Sequence, residues 1–93
     1  MARLKSSRKP IVREELVRRD GTNCFVCEDP MLFGETEARK SATIEHIWSR
    51  SQGGPNNRWN LCLLCHDCNQ RLGDLPLVDK IREMFAIRKE RGL

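Results

Sequence analysis

An acid and a histidine stand side by side at Glu45-His46. Two Cys-x-x-Cys pairs, Cys24/Cys27 and Cys65/Cys68, bracket them, and Asn69 follows the last cysteine directly. The cysteines and the acid–histidine pair point to separate chemistries. Four thiolates in two close pairs suit a tetrahedral zinc held at about 2.3 Å, with no coordination position left for a reaction. Such an ion is structural. Its binding contributes folding energy directly, on the order of 10 kcal/mol in small zinc domains, so losing any one of the four cysteines should unfold the domain. A carboxylate and an imidazole next to each other can instead hold an oxygen-ligated divalent cation and take a proton from water. Hydrolysis of a phosphodiester is the reaction such a pair could serve. An imidazole is a competent base near neutral pH, and a divalent ion with oxygen ligands can clamp a phosphate.

The rest of the chain must position these groups. With 93 residues there is room for one small domain with a modest core, and a staple is expected at that size. There is no signal peptide and no apolar run long enough to span a bilayer, so the expected compartment is the reducing cytoplasm. Paired Cys-x-x-Cys motifs there read as metal sites, with disulfides as the alternative. The odd total of five cysteines argues against a fully oxidised framework. The fifth, Cys62, alternates with Leu61 and Leu63 as a small buried apolar residue would. His66 reads as a surface residue at a helix start. Net charge is +4 and the pI is near 9.0, which suits a polyanionic partner without proving one. Arg3, Lys5, Arg8 and Lys9 form an acid-free run. It is either a solvated tail or an arm that neutralises phosphates, and charge alone does not separate the two.

The domain reading is a flexible basic arm over 1–10 and a single domain over 11–93, with its core at 24–73. Pro10 opens a helix over Ile11 to Arg19, with Ile11, Val12, Leu16 and Val17 as its apolar side. Asp20-Gly21 ends it. Cys24 to Cys27 resembles a knuckle whose backbone amides face thiolate sulfurs, and 28–40 reads as a loop or loose hairpin. Ser41 to Ile47 and Trp59 to Leu64 read as strands, joined by an irregular loop over Trp48 to Asn57. A helix should run from about Cys65 to Leu72 and stop at Gly73. A last helix, about 76–91, has Val78, Ile81, Met84, Phe85 and Arg88 along one face, with Val78, Ile81 and Phe85 at i, i+3, i+7 spacing, and is expected to pack by it. Lys80, Arg82, Glu83, Lys89 and Glu90 fall on its polar side.

In order, the chain reads Cys-x-x-Cys, Ile44-Glu45-His46-Ile47, Gly53-Gly54, Asn60-Leu61, Cys65-x-x-Cys68-Asn69. This order resembles the HNH endonuclease family over Cys24 to Gly73. The resemblance implies a small α+β fold: a ββα-metal finger of the His-Me type, stapled by a four-cysteine zinc site, with flanking N- and C-terminal helices. It implies His46 as the general base and Asn60 as the residue that steadies the loop and the base. Glu45 and Asn69 become ligands of a catalytic divalent metal, Mg²⁺, Mn²⁺ or Ni²⁺. The family more often has Asp where this chain has Glu45, which is one methylene longer. Where many members have a Lys three residues after the Cys-Asn junction, this chain has Leu72, and Arg71 is the nearest cation. Arg50, Arg58 and Arg71 are candidate DNA contacts, with ion pairs to Glu35, Glu37 or Asp74 as the alternative for the first two.

The expected function is divalent-metal-dependent cleavage of DNA, nicking or cutting both strands with low sequence specificity. The expected protein works as a monomer or weak dimer in a bacterial or phage-infected cell and does not engage membranes. Stand-alone members of the family imply a possible terminase or other nucleic-acid-processing partner. Two other readings stand beside this one: a zinc-stapled nucleic-acid-binding module without chemistry, and a protein-interaction zinc domain.

Overall fold

The computed structural model describes residues 4–5, 7–34 and 38–93. Residues 1–3 and 6, where part of the basic arm was expected, lie outside the described residues, as do 35–37. The elements run α1 (Lys9–Asp20), β1 (Ala42–His46), β2 (Leu61–Cys65), α2 (His66–Leu72) and α3 (Leu77–Glu90), with single 3-10 turns at Arg50–Gln52 and Arg58–Asn60. Helix α1 starts two residues before Ile11, taking in the last two residues expected of the arm. Gly21 closes it at φ 86°, its N–H donating to the Val17 carbonyl at 2.8 Å. Val12 and Leu16 are buried, whereas Ile11, expected on the packing face, is 51 % exposed.

Strands β1 and β2 pair antiparallel from Ala42↔Cys65 to His46↔Leu61. Every residue of β2 (LCLLC) is buried, because α1 and α2 both pack on it. That explains its unbroken apolar run, since a strand covered on both sides needs no polar alternation. Each fully buried leucine there contributes about 2 kcal/mol of apolar burial. The strand expected from Trp59 begins at Leu61, since Arg58–Asn60 turn once before the sheet starts.

Helix α3 turns inward a different face from the expected one, of which only Met84 is buried. Lys80, Met84 and Ile87 are its buried residues, while Val78 is 59 % and Phe85 67 % exposed. Both triplets satisfy helical spacing. The buried one was concealed because its first member is a lysine, which polarity assigns to solvent. Arg88 and Arg91 clamp this helix to the cysteine knuckle. Arg88 bonds the Val26 carbonyl at 3.2 Å and pairs with Glu28 at 2.9 Å, and Arg91 pairs with Asp29.

The loop between the strands is closed by contacts around Gly54. Its N–H donates to the Ser49 carbonyl at 3.0 Å, and a Cβ there would lie 1.7 Å from the Trp48 carbonyl oxygen. No side chain fits without moving backbone. Trp48 Nε1 donates to the Gln52 carbonyl at 3.1 Å, while Trp59 is 62 % exposed. Gly54→Ala should therefore lower the unfolding free energy by about 3 kcal/mol, measured by urea titration. An unchanged midpoint would mean that this close approach does not constrain the loop.

Candidate active site

The zinc staple is legible in the thiols. The ligand atoms of Cys24, Cys27, Cys65 and Cys68 all lie within 4.8 Å of one another, and all four residues are buried. Cys27 Sγ and Cys65 Sγ are 3.9 Å apart. Tetrahedral bonds of about 2.3 Å put ligand sulfurs about 3.8 Å from each other, so this spacing fits zinc; all five cysteines are free thiols. Around Cys24 the backbone amides of Cys65, Cys27 and Val26 outweigh the opposing effect of burial and hold its thiol below the usual value. Burial pushes Cys27 up to about 11 and Cys68 up further. Four thiolates outnumber the charges of one zinc. Lys40, whose Nζ lies 3.9 Å from Cys65 Sγ, and Arg91, whose charge acts on Cys27 and Cys68, offset the excess. Cys62 stands apart: burial pushes its thiol up to about 12, and it pairs across the sheet with Glu45.

The hairpin carries the second centre. Glu45 and His46 end β1 and line a cavity of about 500 Å³ together with Thr43, Ser49, Arg50 and Asp74. Glu45 Oε1 accepts the His46 N–H at 2.9 Å, while its Oε2 is buried with no hydrogen-bond partner among the described residues. Burial pushes the Glu45 carboxyl up, and Asp74 adds to the rise; the Lys80 charge and the His46 N–H act against it. On the other side of the imidazole, His46 Nε2 lies 2.8 Å from Asn56 Oδ1. An amide oxygen only accepts, so Nε2 carries the proton and Nδ1 keeps its lone pair. The carboxylates of Glu45 and Asp74 on one cavity wall are oxygen donors of the kind that fits a hard divalent cation.

Asn60 sits beneath this arrangement. It is buried, its Oδ1 accepts the Trp48 N–H at 2.8 Å, and its Nδ2 donates to the carbonyls of Trp48 and Pro55 at 3.0 and 2.9 Å. It ties the two ends of the loop together, and Asn56, on that loop, is the residue that touches the ring. Asn69 does not line the cavity. Its Nδ2 donates to Thr43 Oγ1 at 2.8 Å, and Thr43, which does line the cavity, lies two residues before Glu45 on β1. Of the three arginines, Arg50 lines the cavity. Arg58 pairs with Glu15, and Arg71 with Glu83 at 2.8 Å and with Glu90, so these two are held by acids; Glu35 and Glu37, considered for Arg58 from sequence, lie outside the described residues.

Sequence reasoning also missed Asn56, Asp74 and Lys80 as site residues. Lys80 is only 1 % exposed. Its Nζ donates to the His46 carbonyl at 3.0 Å and to Ser49 Oγ at 2.6 Å. It therefore fixes the backbone of the histidine and the start of the loop with one buried cation, and its charge supports ionised Glu45. Nothing in the sequence marks it, because both partners lie more than thirty residues away.

A hairpin followed by a helix, stapled by four thiols and presenting an acid–histidine pair, is the architecture of a ββα-metal nuclease finger. The HNH endonuclease family matches residues 24–75, and the chain belongs to that family. It is also similar to the CRISPR-associated endonuclease Cas9 of Corynebacterium diphtheriae, 37 % identical over 73 residues, which is 77 % of this chain and 6 % of that protein. The chain thus spans a small part of its relative. Among the described residues, no helix is long and apolar enough to cross a membrane.

Cys68→Ser should abolish the cooperative melt seen by circular dichroism, whereas Cys62→Ser should keep equimolar zinc. Because thiols held high must lose protons to bind the ion, zinc affinity should rise with pH, read by competition with a chromophoric chelator. Lys80→Met leaves the His46 carbonyl and the Ser49 hydroxyl without their donor. It should cost about 1–3 kcal/mol of stability, against about 0.5 kcal/mol or less for Arg82→Met on the exposed side. Equal losses in the two variants would remove Lys80 from the support of the site.

Proposed function

We propose that the chain is a divalent-metal-dependent endonuclease that hydrolyses DNA phosphodiester bonds, with His46 as general base. The observation that carries this reading is one cavity lined by both Glu45, whose Oε2 has no hydrogen-bond partner among the described residues, and His46, whose Nε2 is bonded to Asn56. In a family of nucleases, that pairing is what a cation and an activated water require.

In this reading, His46 Nδ1 takes a proton from a water whose oxygen bonds to phosphorus. One P–O ester bond breaks, and the leaving oxygen is protonated by solvent. Asn56 holds the tautomer, Lys80 holds the His46 carbonyl, and Asn60 holds the loop. Glu45 and Asn69 would supply oxygen ligands to Mg²⁺, Mn²⁺ or Ni²⁺, with Asp74 as a further carboxylate on the same wall. The bound ion would offset charge on the phosphate. One such site cuts one strand, so a double-strand break needs a second copy or a second encounter. Arg50 contacts the DNA backbone.

The test is relaxation of supercoiled plasmid by the zinc-loaded chain with each added divalent ion. Metal-dependent nicking should fall at least about 100-fold in His46→Ala, with zinc content and melting temperature kept. Binding without cutting in any metal would instead mark a non-catalytic binding module.

A further inference from the structure

The cations of this chain are partitioned. Arg18, Arg39, Arg71 and Arg91, among others, each hold a carboxylate. Among the described residues, no carboxylate forms an ion pair with Lys5, Arg8, Lys9, Arg13 or Arg50, nor with Lys80, Arg82 or Lys89 on α3. The five outside α3 each line one of two cavities. Lys9 and Arg13, one helical turn apart on α1, open with Arg50 onto the larger cavity of about 500 Å³. Lys5 and Arg8 line a smaller one of about 260 Å³. Leu4 borders both cavities. The His46–Asn56 hydrogen bond of 2.8 Å lies between them, since the histidine lines the first and the asparagine the second.

A second observation points the same way. Helix α1 begins at Lys9 with no acid in its first turn. The positive end of the helix dipole favours carboxylates there and disfavours cations. The nearby acids do not correct this: Glu15 is held by Arg58 and feels the Arg8 charge only at a distance, while Glu45 and Asp74 lie on the cavity wall beside the histidine. Like charges concentrated at the wrong end of a helix are a local cost, and a bound polyanion would relieve it.

We propose that the N-terminal half of α1 is a track for the backbone phosphates of a polynucleotide strand. Lys9, Arg13 and Arg50 hold phosphates on one side of the scissile bond, and Lys5 and Arg8 hold those on the other. The proposal rests on the nuclease reading for which bond is cut, and on charge and geometry for the path. The track explains why a single small domain needs no further surface to place a strand over His46.

The test is fluorescence anisotropy with a short labelled DNA strand, titrated with salt, using zinc-loaded His46→Ala chain with Mg²⁺ so that the strand survives. Each lost phosphate contact lowers the slope of log affinity against log salt by about 0.7 for a single strand. Lys9→Gln with Arg13→Gln should lower it by about 1.4 and weaken binding about tenfold or more. Arg50→Gln, on a different element, should lower it by about 0.7, and this covers the case in which the α1 variant fails to fold. Arg82→Gln with Lys89→Gln, on α3, removes the same charge and should leave the slope unchanged. An equal fall in the α3 variant, unchanged slopes in both the α1 and Arg50 variants, or no binding by the parent would overturn the track. Tighter binding of an RNA strand with the same losses upholds the track and moves the substrate to RNA. Plasmid nicking is scored separately with His46 intact, so binding along α1 without cutting removes the nuclease reading and leaves the track standing.

Discussion

The structure depends on the meeting of four thiols. Cys65 ends β2 and Cys68 lies in the first turn of α2, so an ion bound to both sets the angle at which the helix leaves the sheet. Cys24 and Cys27, on a turn that precedes the hairpin, supply the other half of the tetrahedron. The stretch from 28 to 64 is thereby closed into a loop whose ends cannot drift. The acid–histidine pair sits inside that closed loop, at the end of β1 farthest from the staple in the strand register, since Ala42 pairs with Cys65 and His46 with Leu61. Strand β1 is thus the lever between the two centres, and Thr43, bonded to Asn69, ties it to α2.

The site is held by buried polar groups that stability alone would not favour. Glu45 keeps one oxygen without a partner, Lys80 is buried without a direct ion pair, and Asn60 spends its amide on three backbone groups. Each costs desolvation that an apolar residue would avoid. Their shared feature is that all three act on His46 or the loop that follows it. Stability has been given up locally for a fixed arrangement, as expected at a working site. The staple, and a β2 strand buried along its whole length, provide the margin that tolerates it.

Electrostatics divides the molecule in a similar way. Away from the cavity, several arginines hold acids and fasten elements together, as Arg88 and Arg91 fasten α3 to the knuckle, while Arg82 and Lys89 form no ion pair among the described residues. Near His46, cations from α1 and the loop have no such acids among the described residues, and the Asp74 charge adds to the cost of ionising Glu45. A net charge of +4 conceals this separation, because it is a sum over two regions with opposite habits.

Much of this was readable from residue order. Two Cys-x-x-Cys pairs carry their chemistry in local spacing, a capping glycine stops a helix wherever it falls, and LCLLC can hardly be anything but a buried strand. These are short-range constraints, so the sequence determined the staple, the hairpin and the helix that follows it. The tertiary structure alone decided which face of α3 turns inward, that Lys80 reaches the histidine's carbonyl, that Asn56 rather than Asn60 touches the ring, and which arginines are already taken by acids. The physical reason is distance along the chain. A buried lysine or a long-range ion pair is defined by a partner more than thirty residues away, and residue type reports only the average cost of burying a charge, not the particular partners that offset it.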